Sequence, residues 1–593
     1  MRGVEAFDPT HHRPHPPGYP LTIGLGKLFA ALGLDPFHAL VASSVTFSLV
    51  GYLALVAAYS RMAAGPGPSD GSERAVGVAA ALLFCLSPPM LLYGPLALSD
   101  APALAFLALA LAAGARLADR LRGGAIAGGR LPLGGAAALG AFSAAAIGCR
   151  PQLVVAVVPM VAVALAVALQ GFRRAAASRA LVRRALLRLA AAAAAGFAVA
   201  ALAWFVPLVI ASGGPRGLVA SLTRQAWLVA EADAGAARAG LGPAGMLVRF
   251  AAHPWGQKSV AVPVLLLAGI GASWVARHRR WLAAPLLALS GVDLAFALAV
   301  MDPADAVRYA LPSLLAVAFL AAVGSLALAR GLRRPAAHWL PTGYLIARFA
   351  LYTGPLLLVR TTTPSPPVQA ITWAGDHVPK KALVLVDPPL APHASQLLAD
   401  RRLVLEDPDL RALASAGGQP AFLLSDGRSA WPGAVTFAWP ESDAYGKLTR
   451  GYYREVSWSP IPTSCLYEGL AGTYRWERGW RWLDRAASVR FVTAGATRLG
   501  LTLALPGDVP YPGVDVELAV VGSGETAHAF VPRGGQVSPV LTLPGGSQAE
   551  VQLRSARDFV PAKSGLNPDT RRLAVQLLGC ERDPGVAAVK APQ

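Results

Sequence analysis

Ten apolar runs, each long enough to cross a bilayer, crowd the first 360 residues, and nothing else constrains the chain so strongly. They lie near 37–59, 76–93, 101–119, 131–148, 152–170, 189–211, 259–276, 282–300, 307–329 and 338–359. Segments buried in lipid must satisfy their own backbone, which leaves the helix as the spanning element. Basic residues fall in every second loop: Arg61 and Arg74; Arg116, Arg120, Arg122 and Arg130; the run from Arg173 to Arg188; Arg277, Arg279 and Arg280; Arg330, Arg333 and Arg334. Positive loops mark the cytoplasmic side, so the other loops and everything after residue 360 are expected to be extracytoplasmic. The net charge of +19 is thereby explained by orientation, and nucleic acid is not expected as a partner. With 54% hydrophobic and 15% charged residues, the composition fits a polytopic membrane protein.

This orientation puts the opening stretch, "FDPTHHRPHPPGYP", outside the membrane, yet no signal peptide or apolar span precedes it in this numbering. The expectation is a first transmembrane helix upstream of Met1; the alternative is a short N-terminus that crosses unaided. The prolines give an extended approach to a helix starting near Pro20, a favourable first-turn residue. They hold His11, His12, Arg13 and His15 at the membrane edge, where they can hydrogen-bond sugar hydroxyls or a phosphate, or simply form a rigid turn. The histidines lack a carboxylate or cysteine at metal-ligand spacing, so no metal site is assigned to them.

After "TTTPSPP" the pattern changes. Residues 361–464 mix short β-like runs ("ALVLVD", "PAFLLSD", "AVTFAW") with helical patches ("HASQLLADRR", "PDLRALASA"), as in a small α/β subdomain. From 465 to 593 a period of two dominates ("SVRFVT", "RLGLTLAL", "VDVELAVV", "AHAFVP", "PVLTLP", "AEVQLRS", "RLAVQLLG"), which reads as a β-sandwich. The expected organisation is thus a first loop and membrane-edge helix at 1–36, a transmembrane domain at 37–360, and these two extracytoplasmic domains. Cys465 and Cys580 bracket the sandwich and can pair in an oxidising compartment, which spacing alone does not decide. The aromatics between Trp431 and Trp482 either stack on sugars or fill the seam between subdomains and membrane surface, the second being the simpler reading.

Ionisable groups at membrane depth line cavities or pair with one another. Here Asp8 precedes the first run, Asp100 opens the third, Arg150 tops the fifth, and Asp302, Asp305 and Arg308 stand at the ninth. Arg224, Glu231, His253 and Lys258 join them from the long loop 212–257 and its far edge. All lie on the predicted outer side. Such a set suits chemistry on a phosphate-bearing lipid, with arginine or lysine on the phosphate and a carboxylate activating an acceptor or binding a metal. Simpler roles stand beside it: Ser99 and Asp100 as a helix N-cap, Arg150 and Arg308 snorkelling to head groups, Asp302 and Asp305 as turn residues.

Four stretches in order, "FDPTHHRPHPPGYPLTIGLGKL", "YGPLALSDAPALAFLALAL", "GCRPQLVVAVVP" and "VRYALPSLLAV", resemble motifs of the GT-C membrane glycosyltransferases, in particular bacterial protein-mannosyltransferase-like proteins of the family 39 type. The resemblance spans residues 5–360; "GWRWLDRAASVRF" and "DFVPAKSGLNPDTRRLAVQL" are similar, more weakly, to the terminal β-domain of some membrane sugar transferases. It implies a GT-C-like helical fold in a bacterial cytoplasmic membrane, with the C-terminal domain extracytoplasmic. It also implies inverting transfer of a hexose or pentose from a polyprenyl-phosphate donor to a glycolipid, polysaccharide or protein acceptor. Asp8 and Asp100 are then the candidate catalytic acids, the second orienting the acceptor or a divalent metal, which the resemblance leaves open. His11, His12, Arg13, His15, Tyr19, Arg150, Gln152, Lys258, Arg308 and Tyr309 are the candidate substrate-binding residues. In similar proteins the catalytic acid ends the first transmembrane helix, a position this chain's numbering does not include. Two alternatives remain: a transporter of lipid-linked sugars, which predicts internal repeats and charges buried in mid-span, neither expected here, and a non-catalytic sugar-binding protein.

Overall fold

The computed structural model describes residues 2–11, 13–14, 18–64, 71–122, 131–175, 179–228, 241–278, 280–387, 390–398, 400–404, 420–425, 434–440, 442–449, 454–461, 467–477, 480–493, 495–546, 548–561, 563–564, 569 and 571–584. The chain divides into two compact units, Met1–Leu358 with Ser442–Arg450, and Val359–Glu441 with Gly451–Gln593.

The first unit is helical. Among the described residues eight segments are long and apolar enough to span a membrane: Pro36–Ala63, Asp100–Leu121, Pro151–Gln170, Ala180–Ala211, Lys258–His278, Ala283–Val300, Leu311–Gly331 and Ala336–His377, the last continuing past the unit boundary at Leu358. The other two expected runs are also helical but shorter. The 131–148 run is the 17-residue helix Leu133–Cys149. The 76–93 run breaks into Ser72–Cys85 and Pro88–Tyr93, because Pro88 and Pro89 remove amide donors and restart the helix after Ser87. The ninth run starts at Leu311, four residues later than the hydropathy implied, after a separate turn Ala306–Tyr309.

Proline opens the helices Pro20–Ala30 and Pro36–Ala63, the second capped by Asp35, whose carboxylate accepts from the Phe37 and His38 amides at 3.0 and 3.2 Å. Glycines let helices touch. A Cβ on Gly271 would strike the Leu320 carbonyl and one on Gly324 the Leu267 carbonyl, so Lys258–His278 and Leu311–Gly331 cross backbone to backbone. Gly140 and Gly196 do the same for Leu133–Cys149 and Arg179–Ala211. In lipid, where the hydrophobic effect does not drive helices together, such close approach supplies the packing. The buried core is alanine and leucine with a few aromatics; Tyr59 stacks on Phe319 and donates to the Leu315 carbonyl at 2.8 Å. Leu49, Leu53, Val199, Ile210 and Leu266 lie exposed on helix sides, as lipid-facing residues do.

The second unit is β-rich. β1 (Leu383–Val386), β2 (Arg402–Val404), β3 (Ala421–Ser425), β4 (Val435–Ala438) and β5 (Glu455–Ile461) form a five-stranded sheet in the order β2-β1-β3-β5-β4. β1 runs parallel to β2 and β3, while β5 is antiparallel to β3 and β4. With the helix Pro366–His377, whose Ala370 carbonyl accepts from buried Trp458 Nε1 at 2.7 Å, this is the α/β arrangement the mixed pattern implied.

The remaining strands are β6 (Tyr467–Glu477), β7 (Trp480–Val492), β8 (Arg498–Ala504), β9 (Gly513–Val520), β10 (Thr526–Pro532), β11 (Gln536–Val537), β12 (Val540–Thr542), β13 (Gln548–Ser555) and β14 (Val575–Arg582). Each of the seven period-two runs falls on one of them. Hydrogen bonds join them along the path β10-β9-β13-β7-β14-β8-β11, the β-rich domain that the period of two implied. The strand that links the path is β7. Arg481–Leu483 pair with β14, whereas Ala486–Val492 pair with β13, and alternation breaks between them at exposed Arg485 and Ala486. One long strand thus takes two different neighbours along its length. The aromatics expected along 431–482 do not gather on one face: Trp482 and Tyr467 fill the core of this sheet, Trp458 that of the smaller one, and Tyr445 is buried in the helical unit. Trp431, Tyr452 and Tyr453 lie outside the described residues. Cys580 is disulfide-bonded, Cys85 and Cys149 are free, and Cys465 lies outside the described residues.

Candidate functional site

Three segments far apart in sequence meet at one ion cluster in the helical unit. Asp100 begins the helix Asp100–Arg122, where the free amides of a first turn favour a carboxylate. The loop before it is fixed by Ser44 and Ser48, whose hydroxyls donate to the Leu98 and Gly94 carbonyls at 3.4 and 3.5 Å. Arg150 follows the last residue of Leu133–Cys149, the end at which a cation is favoured, and leads into the Pro151–Leu153 turn. Arg308 sits on the turn Ala306–Tyr309 that precedes Leu311–Gly331.

Both oxygens of Asp100 are taken. Oδ1 accepts from Arg150 Nη1, and Oδ2 accepts from Arg308 Nε at 2.8 Å. Arg308 also reaches Asp305 at 3.8 Å. Asp100 is 1% exposed, Arg150 2% and the Arg308 side chain 21%, so the cluster is closed on the Arg150 side and partly open at Arg308. Burying a carboxylate and two guanidiniums is costly, and ionisable groups at membrane depth pair with one another or line cavities, which makes this cluster the candidate site. Burial works against the Arg308 cation, but Asp100 and Asp305 outweigh it and hold the guanidinium protonated above its ordinary range.

Two tyrosines complete the ring. The Arg150 guanidinium lies 5.4 Å from the centre of the Tyr309 ring, within cation–π reach. Tyr19 takes a left-handed backbone (φ 45°), uncommon for a residue other than glycine, just before Pro20. Burial raises its phenol pKa, and Arg308 and Arg150 partly oppose that rise, which places Tyr19 in the field of the cluster. Thr22, one turn on, donates to the Cys149 carbonyl at 3.4 Å and ties the membrane-edge helix to the residue before Arg150.

The structure therefore brings together Tyr19, Asp100, Arg150, Arg308 and Tyr309, with Gln152 lining a small pocket beside Arg150 and Tyr309. Asp302 and Asp305, expected as turn residues, do form a turn (Asp305 N–H to the Asp302 carbonyl, 3.2 Å), but both are buried and Asp305 joins the cluster. Asp8 is occupied locally: its carboxylate accepts from the Thr10 amide at 3.1 Å and the Thr10 hydroxyl at 2.6 Å. Arg13 is exposed and pairs with Asp8 through the backbone. His11 ends a short turn, Pro9–His11, while His12 and His15 lie outside the described residues. Lys258 is exposed at the start of its helix. Among the described residues no three histidine, cysteine or acidic side chains group as metal ligands.

One residue corrects the expectation that no charge is buried in mid-span. Asp293 lies well inside the helix Arg280–Val300, is buried, and accepts from the Ser313 hydroxyl at 2.7 Å. Its signal was present as the lone acid in "LLALSGVDLAFALAV".

A second polar group stands nearby. Ser442–Arg450, flanked in sequence by the β-rich unit, belongs to the helical unit. Leu448 accepts from buried Tyr93 Oη at 2.6 Å, and Asp443 from Tyr352 Oη at 3.2 Å and Lys447 Nζ at 2.8 Å. His253 has a lowered pKa, first from burial and then from the Arg249 and Lys447 cations.

No protein-family model matches this chain, and no curated protein matches it. Among solved structures, it aligns with a cryo-EM structure of the mycobacterial arabinofuranosyltransferase AftD at 12% identity and a TM-score of 0.32. That alignment covers 94% of this chain and 55% of the other, so the chain spans about half the length of that structure.

Proposed function

We propose that this chain is an inverting membrane glycosyltransferase that moves a sugar from a polyprenyl-phosphate donor to an acceptor on the outer face of a bacterial cytoplasmic membrane. The observation that carries the reading is the convergence of Asp100, Arg150 and Arg308, drawn from three of the four motif stretches, on one cluster opposite the arginine-rich loops. In this reading an acceptor hydroxyl oxygen attacks the anomeric carbon from the face opposite the phosphate. The bond from that carbon to the phosphate oxygen breaks, its electron pair leaves with the polyprenyl phosphate, and the hydroxyl proton passes to a carboxylate.

Arg308, the partly open member, meets the departing phosphate, where a fixed guanidinium stabilises charge that grows in the transition state. Asp100, with both oxygens bound to arginines, orients them and does not itself take the proton. Asp8 is the candidate base, provided that it leaves Thr10. Asp293 gives the transporter alternative its one supporting feature, a charge in mid-span, although its bond to Ser313 and its place beside Arg150 make it part of the same cluster.

The test uses the full chain in vesicles loaded with radiolabelled polyprenyl-phosphate pentose or hexose, plus bacterial envelope extract as acceptor source. The expected result is label moved from the lipid to a new product by the wild type and lost in Asp100→Asn. Label that only redistributes across the bilayer supports a transporter. Donor that stays bound and intact, equally with Asp100→Asn, supports a binding protein.

A further inference from the structure

Arg150 is anchored on one edge only by the contacts described so far. Nη1 donates to Asp100, but Nε and Nη2 are buried and make no hydrogen bond among the described residues. Leaving buried guanidinium donors unsatisfied forfeits their hydration with nothing in return, so a fold that keeps Arg150 at 2% exposure must offer them an acceptor. Beside them is a pocket lined by Arg150, Gln152, Asp293, Met301, Tyr309 and Pro312, with room for about one water molecule. Most of its wall is apolar, but Arg150, Gln152, Asp293 and Tyr309 also line it and can supply the two to four polar partners that a buried water needs. The pocket is too small for a sugar or a phosphate.

We infer that Asp293 is a positioning residue for Arg150, holding its second edge through a water seated in this pocket. The guanidinium then lies between two carboxylates, Asp100 on the Nη1 side and Asp293 on the other, and it cannot swing away from the cluster. Asp293 is in turn fixed by Ser313. Ser290, three residues earlier on the same helix, donates to the Pro312 carbonyl at 3.0 Å and locks that helix to the start of Leu311–Gly331. Removing the Asp293 charge frees the orientation of Arg150 without touching Asp100 or Arg308.

For catalysis this rests on the transferase reading above, in which Arg308 meets the donor phosphate; Arg150 shares Asp100 with Arg308 and so helps to set where that guanidinium stands. Asp293→Asn is then expected to raise the donor KM roughly tenfold with kcat within about threefold, the signature of lost binding. A merely structural loss lowers the folded fraction, and hence apparent kcat, and leaves KM unchanged; that outcome overturns the inference. A readout independent of activity keeps the two readings apart. Thermal unfolding of Asp293→Leu is compared in the wild-type and Arg150→Met backgrounds, with Arg150→Lys as the background should Arg150→Met fail to fold. Non-additive shifts of more than about 3 °C are expected, because residues joined in one network couple. Additive shifts overturn the link, whether or not transfer is ever observed; coupling without transfer overturns only the transferase reading.

Discussion

In the helical unit Asp100 is 1% exposed and bound to two guanidiniums, whereas in the β-rich unit Arg572 meets Asp558 at 2.9 Å with 61% of its side chain in solvent. Arg490 behaves like the second case, reaching Glu468 at 3.3 Å and Glu550 at 3.5 Å from a half-buried position on the sheet. The chemistry of the pairs is the same, but their cost is not. An exposed pair gives up little hydration and gains little, so it decorates a fold without defining it. A buried trio inside an apolar helical unit gives up several kcal/mol of hydration per ion, which excellent geometry at best restores. The pairs on the sheet cost little and so need no special reason, whereas stability does not explain the charges at the helix ends, and the difference makes Asp100, Arg150 and Arg308 the candidate functional groups.

Perturbing both kinds of pair sharpens this contrast. The largest effect is expected from Asp100→Ala, which strands two buried cations: a loss of about 3–5 kcal/mol in unfolding titrations in mixed micelles, together with abolished transfer. Arg308→Ala removes the partly open member and leaves Asp100 held by Arg150. It is expected to cost about 1–3 kcal/mol and to lower transfer more than stability, read as a kcat deficit in protein of normal yield. The smallest effect is expected from Arg490→Ala, under about 1 kcal/mol, with transfer unchanged. Raising salt to about 1 M, where screening extends only about 3 Å, is expected to erase even that difference while leaving the penalty of Asp100→Ala in place. Equal penalties for Asp100→Ala and Arg490→Ala would remove the contrast and its functional argument with it.

Much of this was legible in the sequence, for identifiable reasons. An aspartate or arginine stands out against alanine and leucine, so Asp100, Arg150 and Arg308 could be picked out from hydropathy alone. Their pairing could not, since Arg308 is 208 residues from the carboxylate that it binds and only helix packing sets that register. Asp293 escaped because attention to helix ends passes over a single acid within a span. Lys258 was drawn in by its charge and its side of the membrane, yet it opens its helix in an exposed position. In the C-terminal half the period of two located the strands. It was silent on the neighbours of β7, whose pairing with β14 along Arg481–Leu483 and with β13 along Ala486–Val492 is set by strands far along the chain.

The segment Ser442–Arg450 gives the molecule a particular schedule of assembly. The helical unit is interrupted at Leu358 and receives its last helix, with the Leu448 carbonyl that Tyr93 binds, only after β1 to β4 have been synthesised. Order of synthesis and order of completion therefore differ. A nascent chain that has reached only the Thr/Pro linker lacks the Leu448 carbonyl and the Asp443 carboxylate to which Tyr93 and Tyr352 donate in the finished protein. The helical unit is thus closed by residues that leave the ribosome after most of the smaller sheet, and a chain cut short of residue 442 lacks that closing segment.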